Sequence, residues 1–489
     1  MGLPASSIAV EPIDAGERTR RQIAVRLLPF LFLLYVTNYI DRTSVAYAAL
    51  GMSRDLALSD RAFGLAAGIF FVSYIALQIP GAMLVESWSA RRAIALVMIA
   101  WGCATVLTGL IHTASQLYWA RLVLGMAEAG FFPGVIVYLS HWFSRADRAR
   151  AIAYFMAAIP FSQAIASPVA GWIVGHSFAG LQGWRWLFIL EGLPAAALGA
   201  IAYFYLTDRP RDARWLSREQ REWTIAKVGS EAAAAAAQRS SVGQALCSRI
   251  VLLLALAAFL NYFISYGFYF WFPTMLKRQS GLSDVLVGVI GTIPYAALFV
   301  AMLVNGWHSD RHMERHWHAA IPCLLATIGA LGLLGHPQSL PIAVLLFTLF
   351  AISPAALPPF WGIPTSLLES STAAAVVGFI NGVASIAGFA GPFVLGYLSS
   401  RTGSFAAGMA IAAMAGIAAC LILLSLPRAG PTARHSSSRY RWLRLRIDAA
   451  GSASEHLSSR APPWGRASRA PPPIRNFRRG TLRPGHVRS

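Results

Sequence analysis

The chain has 489 residues, of which 56% are hydrophobic and only 13% charged, against roughly 25% charged in an ordinary soluble domain. That composition excludes a conventional soluble fold. The formal charge of +20 would by itself point to a nucleic-acid partner, so the apolar runs are placed before the charge is read.

Residues 1–23 are polar and lack the basic start and apolar core of a signal peptide, which predicts an uncleaved cytoplasmic segment. Apolar stretches of membrane-crossing length then follow near 24–48, 62–85, 93–112, 117–140, 151–175 and 185–206, each able to cross a hydrocarbon core of roughly 30 Å as a helix. Residues 207–249, with Asp208, Arg209, Pro210, Arg211 and an alanine run, read as a cytoplasmic linker with some helical character. Six more stretches lie near 250–274, 284–307, 318–335, 340–362, 372–398 and 404–426. None has a barrel's alternation, and lipid offers the backbone no partners, so all twelve are expected to be helices. The predicted fold is an all-α polytopic membrane protein of twelve helices in two six-helix bundles, 24–206 and 250–426.

From residue 427 to 489 the composition changes to 14 arginines, no lysine, 8 prolines and 2 acids. This reads as a disordered cytoplasmic tail that adheres to anionic lipid. It accounts for +12 of the net charge, and most of the remainder is loop arginine, so no nucleic-acid partner is expected. Loops on the N-terminal side of the membrane carry 18 basic residues before the tail and loops on the other side carry 5. Positive loops stay cytoplasmic, which places both termini in the cytoplasm. Cys103, Cys247, Cys323 and Cys420 are isolated and predict neither disulfide nor zinc. His308, His312 and His316 recur at four-residue spacing, but with no acid or cysteine to complete a set they predict no metal site. No nucleophilic triad or phosphate loop is present, so no enzyme and no cofactor are expected.

The two halves share one signal. Residues 81–92, GAMLVESWSARR, follow the second stretch, and residues 306–315, GWHSDRHMER, follow the eighth. In each, an acid precedes basic residues in a tight cytoplasmic turn. Glu86, Arg91 and Arg92, with Asp310 and Arg311, are candidate gating residues that would pair with the neighbouring bundle in one access state. The alternative is that they are ordinary basic loops that set topology.

A charge at mid-membrane is costly and should face the bundle interior or a wet cavity. Four are singled out: Asp41 and Arg42 in the first helix, and Arg121 and Glu128 in the fourth. Seven residues apart, Arg121 and Glu128 share a face, about 10 Å from each other along the axis. Poorly solvated among Ala127, Ala129 and Gly130, Glu128 is a candidate proton-coupling site, with Asp41 as second carrier. Arg42 and Arg121 offer the planar fork that matches a carboxylate, and Arg42 is the better ligand candidate, with Tyr39 nearly on its face. The alternative is purely architectural pairing, Asp41 with Arg121 or Glu128 with Arg42. Tyr74, Gln163, Asn261, Tyr262, Tyr266, Trp361, Asn381 and Ser385 are polar or amphipathic positions within other helices that would complete a cavity, or else serve as interhelical packing. The second half holds no charge well inside a helix, so proton handling falls to the first.

The segments NYIDR (38–42), QIPG (78–81), RLVLGMAEAGFFPG (121–134), GWRWLFILE (183–191) and NGVASIAGFAGP (381–392) together resemble the major facilitator superfamily. Within it they are similar to the organic-acid carriers of the anion:cation symporter branch, tartrate-like carriers in particular. The likeness spans about 20–426. It implies symport of an organic anion with a proton, or with sodium, by alternating access. It also implies that Tyr39, Arg42, Tyr74, Gln163 and Asn381 line the anion site and that Asp41 and Glu128 are proton-linked. One departure is Ser89, where the family usually has glycine. The expected protein is a monomeric inner-membrane importer of a small organic anion such as a hydroxy-dicarboxylate, sugar acid or aromatic carboxylate. A proton-antiport exporter and a non-transporting carboxylate sensor are the alternatives.

Overall fold

The computed structural model describes residues 13–236, 243, 246–335, 339–367 and 370–427. Twelve of its helical stretches are long and apolar enough to cross a membrane. Spans 1 to 6 are Gly16–Asp55, Asp60–Ser87, Ala90–Thr108, Ala114–Trp142, Arg150–Val174 and Gly183–Tyr205. Spans 7 to 12 are Arg249–Ser280, Asp284–His312, His316–Leu333, Leu340–Pro364, Ala375–Thr402 and Ala406–Ser425. They coincide with the apolar stretches of the sequence, and span 1 runs well past its stretch at both ends. The reading of 427–489 as a disordered tail falls almost wholly outside the described residues.

Short polar loops start the helices with side-chain caps. Ser59, Ser89, Thr113, Ser248 and Ser283 each accept a backbone N–H from three residues on, and Gln116 completes a capping box with Thr113. Each cap satisfies a donor the helix leaves open. Span 7 ends at Gly281 in the left-handed region, φ 66°, which glycine enters without penalty.

Three spans are interrupted where proline removes a donor. Span 4 consists of Ala114–Glu128 and Phe131–Trp142, and Pro133 has no N–H to return to the Ala129 carbonyl. Span 5 steps at Ala157, three residues before Pro160, and span 10 passes through a 3-10 turn at Ser353–Ala356. Glu128 therefore ends a helical segment at the middle of its span.

Within the first bundle, span 3 packs along span 6, and span 1 along spans 5 and 6. In the second, span 7 packs along span 11 and span 9 along span 12. Between the bundles, span 2 meets span 11 and span 5 meets span 8, two contacts related by exchange of the halves. Both rest on glycine. A Cβ on Gly171 would lie 2.6 Å from the Gly288 Cα, and one on Gly64 would lie 2.6 Å from the Pro392 carbonyl oxygen, so only a missing side chain lets these backbones touch.

All of this apposition lies in the halves of the spans nearest loops 55–60, 280–284 and 402–406. Asp60 ties that face shut: Arg278 donates to it at 2.7 and 2.5 Å, and Ser399 at 2.6 Å. In the opposite halves the bundles part, and a Cβ on Gly378 or Gly382 would meet nothing within 4 Å. The opening is on the face that carries residues 207–236, whose helix Arg218–Ala236 packs against span 1 and the second segment of span 4.

Candidate functional site

The gap between the bundles is a cavity of about 610 Å³ that runs from the middle of the molecule toward the linker face. Tyr39 and Arg42 from span 1, Tyr74 from span 2, Tyr266 from span 7 and Asn381 from span 11 are on its wall. Five of the eight residues expected at a substrate site are thus brought together from four spans. Tyr262, Trp361 and Ser385 line it as well.

Behind the wall lies a buried charge cluster. Glu128 is fully buried, and one of its oxygens accepts from Arg42 Nε at 2.6 Å and from Asn38 Nδ2 at 2.5 Å. Its other oxygen, also buried, has no hydrogen-bond partner among the described residues. Asn38 and Arg42 are four residues apart, so one face of span 1 presents both donors. Asp41, on the next face, accepts from the Thr105 hydroxyl at 2.9 Å through Oδ1, while Oδ2 is buried with no hydrogen-bond partner among the described residues. Of the two architectural pairings the sequence left open, only Glu128 with Arg42 forms among the described residues.

Arg121 is 1% exposed and makes no ion pair among the described residues. Its guanidinium lies 4.8 Å from the centre of the Phe70 ring, and that of Arg42 lies 5.6 Å from the same ring. The Phe70 ring is thus within cation–π range of two like charges, and Arg121 is not among the residues that line the cavity. Arg121 is therefore a correction to the expected wall, and so are two neutral residues. Gln163 is 2% exposed, beneath Tyr269. Asn261 spends its amide on the Ser353 carbonyl and hydroxyl at 2.9 and 2.8 Å, which ties span 7 to the turn in span 10.

A fifth charge belongs with the four recognised in the sequence. Glu191 in span 6, partly buried, is within hydrogen-bonding reach of Ser44 on span 1, and its Oε2 is buried with no hydrogen-bond partner among the described residues. Asn38, Phe70, Thr105 and Glu191 are the cluster members that sequence reasoning passed over. Glu191 had a usable signal, an acid after the apolar run LFIL, and Asn38 had its four-residue spacing to Arg42.

The gating candidates pair within their own half. Asp208 of the linker accepts from the Ser89 hydroxyl at 2.9 and 2.8 Å and from the Arg91 amide at 2.9 Å, and its carboxylate is 3.9 Å from Arg91 Nε. Ser89, the departure from the family pattern, is thus both the cap of span 3 and a ligand of the linker. Glu86 and Arg92 are exposed on the same surface. Asp310 lines the cavity mouth and is bound to Arg315 at 2.7 Å, and Arg311 lies over the Trp307 ring. No ion pair joins the two loops among the described residues, as an opening on this face requires.

Span 8 ends at Met313 in the left-handed region, φ 52°, so the three spaced histidines do not share one helix. His308 meets His318 instead, at 2.6 Å, and His318 meets Glu314 at 2.7 Å. Burial pushes the Glu314 carboxyl up, but the Trp317 amide and the His318 imidazole and amide outweigh it and hold the group below its usual range. Among the described residues no group of three or more such side chains is placed to hold a metal.

Two six-helix bundles around a cavity with one open face, a buried charge cluster at its floor and glycine contacts sealing the other face define a membrane transporter. Residues 31–392 match the Major Facilitator Superfamily. The chain is 38% identical over 419 residues to an Agrobacterium vitis protein named as a tartrate transporter, with 86% of this chain and 96% of that one covered. It is 34% identical over 403 residues to a quinolone resistance transporter of Acinetobacter baumannii, with 81% and 92% covered. Among solved structures it is similar to a bacterial homologue of the human lysosomal transporter Spinster in an inward-facing, occupied conformation. That match has a TM-score of 0.68 at 20% identity and covers 84% and 98% of the two chains. The chain belongs to the Major Facilitator Superfamily. It is a multi-pass inner-membrane transporter, not an enzyme.

Proposed function

We propose that the protein imports a small organic anion together with protons by alternating access, Arg42 receiving the carboxylate and Glu128 and Asp41 carrying the protons. The observation that carries this reading is the Arg42–Glu128 bond at the cavity floor. While Glu128 is ionised it neutralises the only cation on the wall among the described residues. A proton on Glu128 releases that charge, and a substrate carboxylate can then take it up in a bidentate fork. Proton and anion thus support each other's binding, which is the thermodynamic requirement of symport.

On this reading the linker face is cytoplasmic, in keeping with its excess of basic residues, and the structure is the inward-open state. The two loops with the gating candidates would meet across the bundles only in the outward-open state. One chain encloses the whole site, so a monomer suffices. The name of the Agrobacterium vitis relative supports an organic acid as cargo. The name of the Acinetobacter baumannii relative, a quinolone resistance transporter, favours a second reading, export rather than import.

Uptake into proteoliposomes separates these. An inside-alkaline pH gradient should drive accumulation of a labelled carboxylate, a protonophore should abolish it, and replacing sodium by choline should leave it unchanged. Accumulation only with an inside-acid gradient would favour export. Accumulation that requires sodium would replace the proton as coupling ion, and binding without flux would favour a sensor.

A further inference from the structure

Around Arg42 the wall is built of aromatic rings from both bundles. Tyr74 and Tyr39 of the first bundle lie 4.8 and 5.3 Å from the guanidinium carbon. Facing them from span 7 are Tyr262 and Tyr266, whose rings are 5.9 Å apart at 83°. Tyr266 also packs on Phe71 of span 2 at 4.7 Å, so the ring wall is continuous across the gap between the bundles.

The charge on this wall is sparse. Among the described residues Arg42 is its only cation, and Asp310, its only acid, is held by Arg315 at the mouth. Arg42 spends Nε on Glu128, and its two terminal nitrogens make no hydrogen bond among the described residues. That leaves a fork for one carboxylate. A second carboxylate would face ring and aliphatic carbon with no cation to offset its lost hydration. Asn381, Ser385 and the tyrosine hydroxyls supply neutral partners, enough for a ring substituent such as a hydroxyl or a ring nitrogen.

We propose that the substrate is an aromatic monocarboxylate of the benzoate or pyridine-carboxylate class, its carboxylate on Arg42 and its ring between the tyrosines of spans 1 and 2 and those of span 7. This rests on the organic-anion reading above and narrows it. Flat rings stack offset or edge-to-face on tyrosine, and a ring held from both sides draws span 7 toward spans 1 and 2. Occupancy and closure are thereby linked. A hydroxy-dicarboxylate of the tartrate type lacks the ring and carries one anionic group too many for this wall.

The test uses the full-length protein in proteoliposomes with an inside-alkaline gradient and four labelled probes: 4-hydroxybenzoate, nicotinate, tartrate and galactonate. The two aromatic acids should accumulate, and excess unlabelled tartrate should not slow them. Tyr266→Leu and Tyr74→Leu should each raise the apparent KM for the accumulated aromatic acid by roughly fivefold, the size of one aromatic contact. Tyr266→Phe, which keeps the ring and loses only the hydroxyl, should raise it less than Tyr266→Leu does, and so separates loss of a ring from loss of the fold. Accumulation of tartrate or galactonate with no uptake of, or competition by, the aromatic acids overturns the aromatic class and leaves organic-anion transport standing. Equal handling of all four overturns the selectivity argued here. Uptake of none of the four overturns the organic-anion reading itself.

Discussion

Glu128 accepts the Nε–H of Arg42 at 2.6 Å through one oxygen, while its second oxygen is buried and has no hydrogen-bond partner among the described residues. A buried ion pair in which one carboxylate oxygen lacks a donor is poorly offset for its lost hydration. In the proposed mechanism the open oxygen takes the proton, and the bond to Arg42 is given up in exchange for a substrate carboxylate.

Arg42 is the anion ligand of this account, and its fork is what distinguishes it from a point charge. Arg42→Lys keeps the charge and loses the bidentate geometry. Apparent affinity for the transported acid, measured by isothermal titration, should fall by about tenfold or more, the range set by charge-assisted hydrogen bonds of roughly 1.5–3 kcal/mol. An unchanged Kd would remove Arg42 from the site.

The sealed face depends on Asp60, which receives Arg278 and Ser399 from the other bundle. Arg278 is half exposed, so the pair contributes modestly, on the order of 1 kcal/mol. Asp60→Asn should therefore shift the access equilibrium by roughly fivefold toward opening of that face. Spin labels on cysteines introduced at Ala57 and Ser404, in loops of the two bundles, would report it as a longer distance population. An unchanged distribution would show that the glycine contacts alone hold the face closed.

Those contacts make their own prediction. A Cβ on Gly288 would lie 2.6 Å from the Ser167 carbonyl oxygen and 2.7 Å from the Gly171 Cα. Gly288→Ala should thus weaken the sealed state by overpacking, about 1–3 kcal/mol, slow turnover, and lengthen the same label distance. Gly382→Ala, with open space around it, should leave that distance unchanged. Equal behaviour of the two variants would contradict the close approach of spans 5 and 8.

The spans were legible in the sequence because an apolar run of membrane length has few alternatives to a helix. Asp41, Arg42, Arg121 and Glu128 stood out for the same reason, as charges inside such runs. Glu191 did not, because Arg185 and the loop before it made the start of its span look like a polar flank. Which way a buried helix faces is harder to read. Periodicity fades when a span is apolar on every side, so Arg121, Gln163 and Asn261 were expected on the cavity wall that they lie behind. Nor does spacing say which acid meets which base. Asn38 and Phe70 bear on that here, the first by adding a donor to Glu128 and the second by offering its ring to both guanidiniums. The break at residues 129–130, which leaves Glu128 at the end of a helical segment, was present in the sequence as Pro133.

Coupling through Glu128 is the central claim, and Glu128→Gln tests it most directly. The amide keeps an acceptor for Arg42 and Asn38 but cannot exchange a proton with the solution. With whichever of 4-hydroxybenzoate and tartrate the wild type accumulates, the variant in proteoliposomes should lose uphill accumulation under an inside-alkaline gradient. It should still exchange external label for unlabelled substrate loaded inside. Uphill, proton-driven accumulation by Glu128→Gln at the wild-type rate would contradict the account.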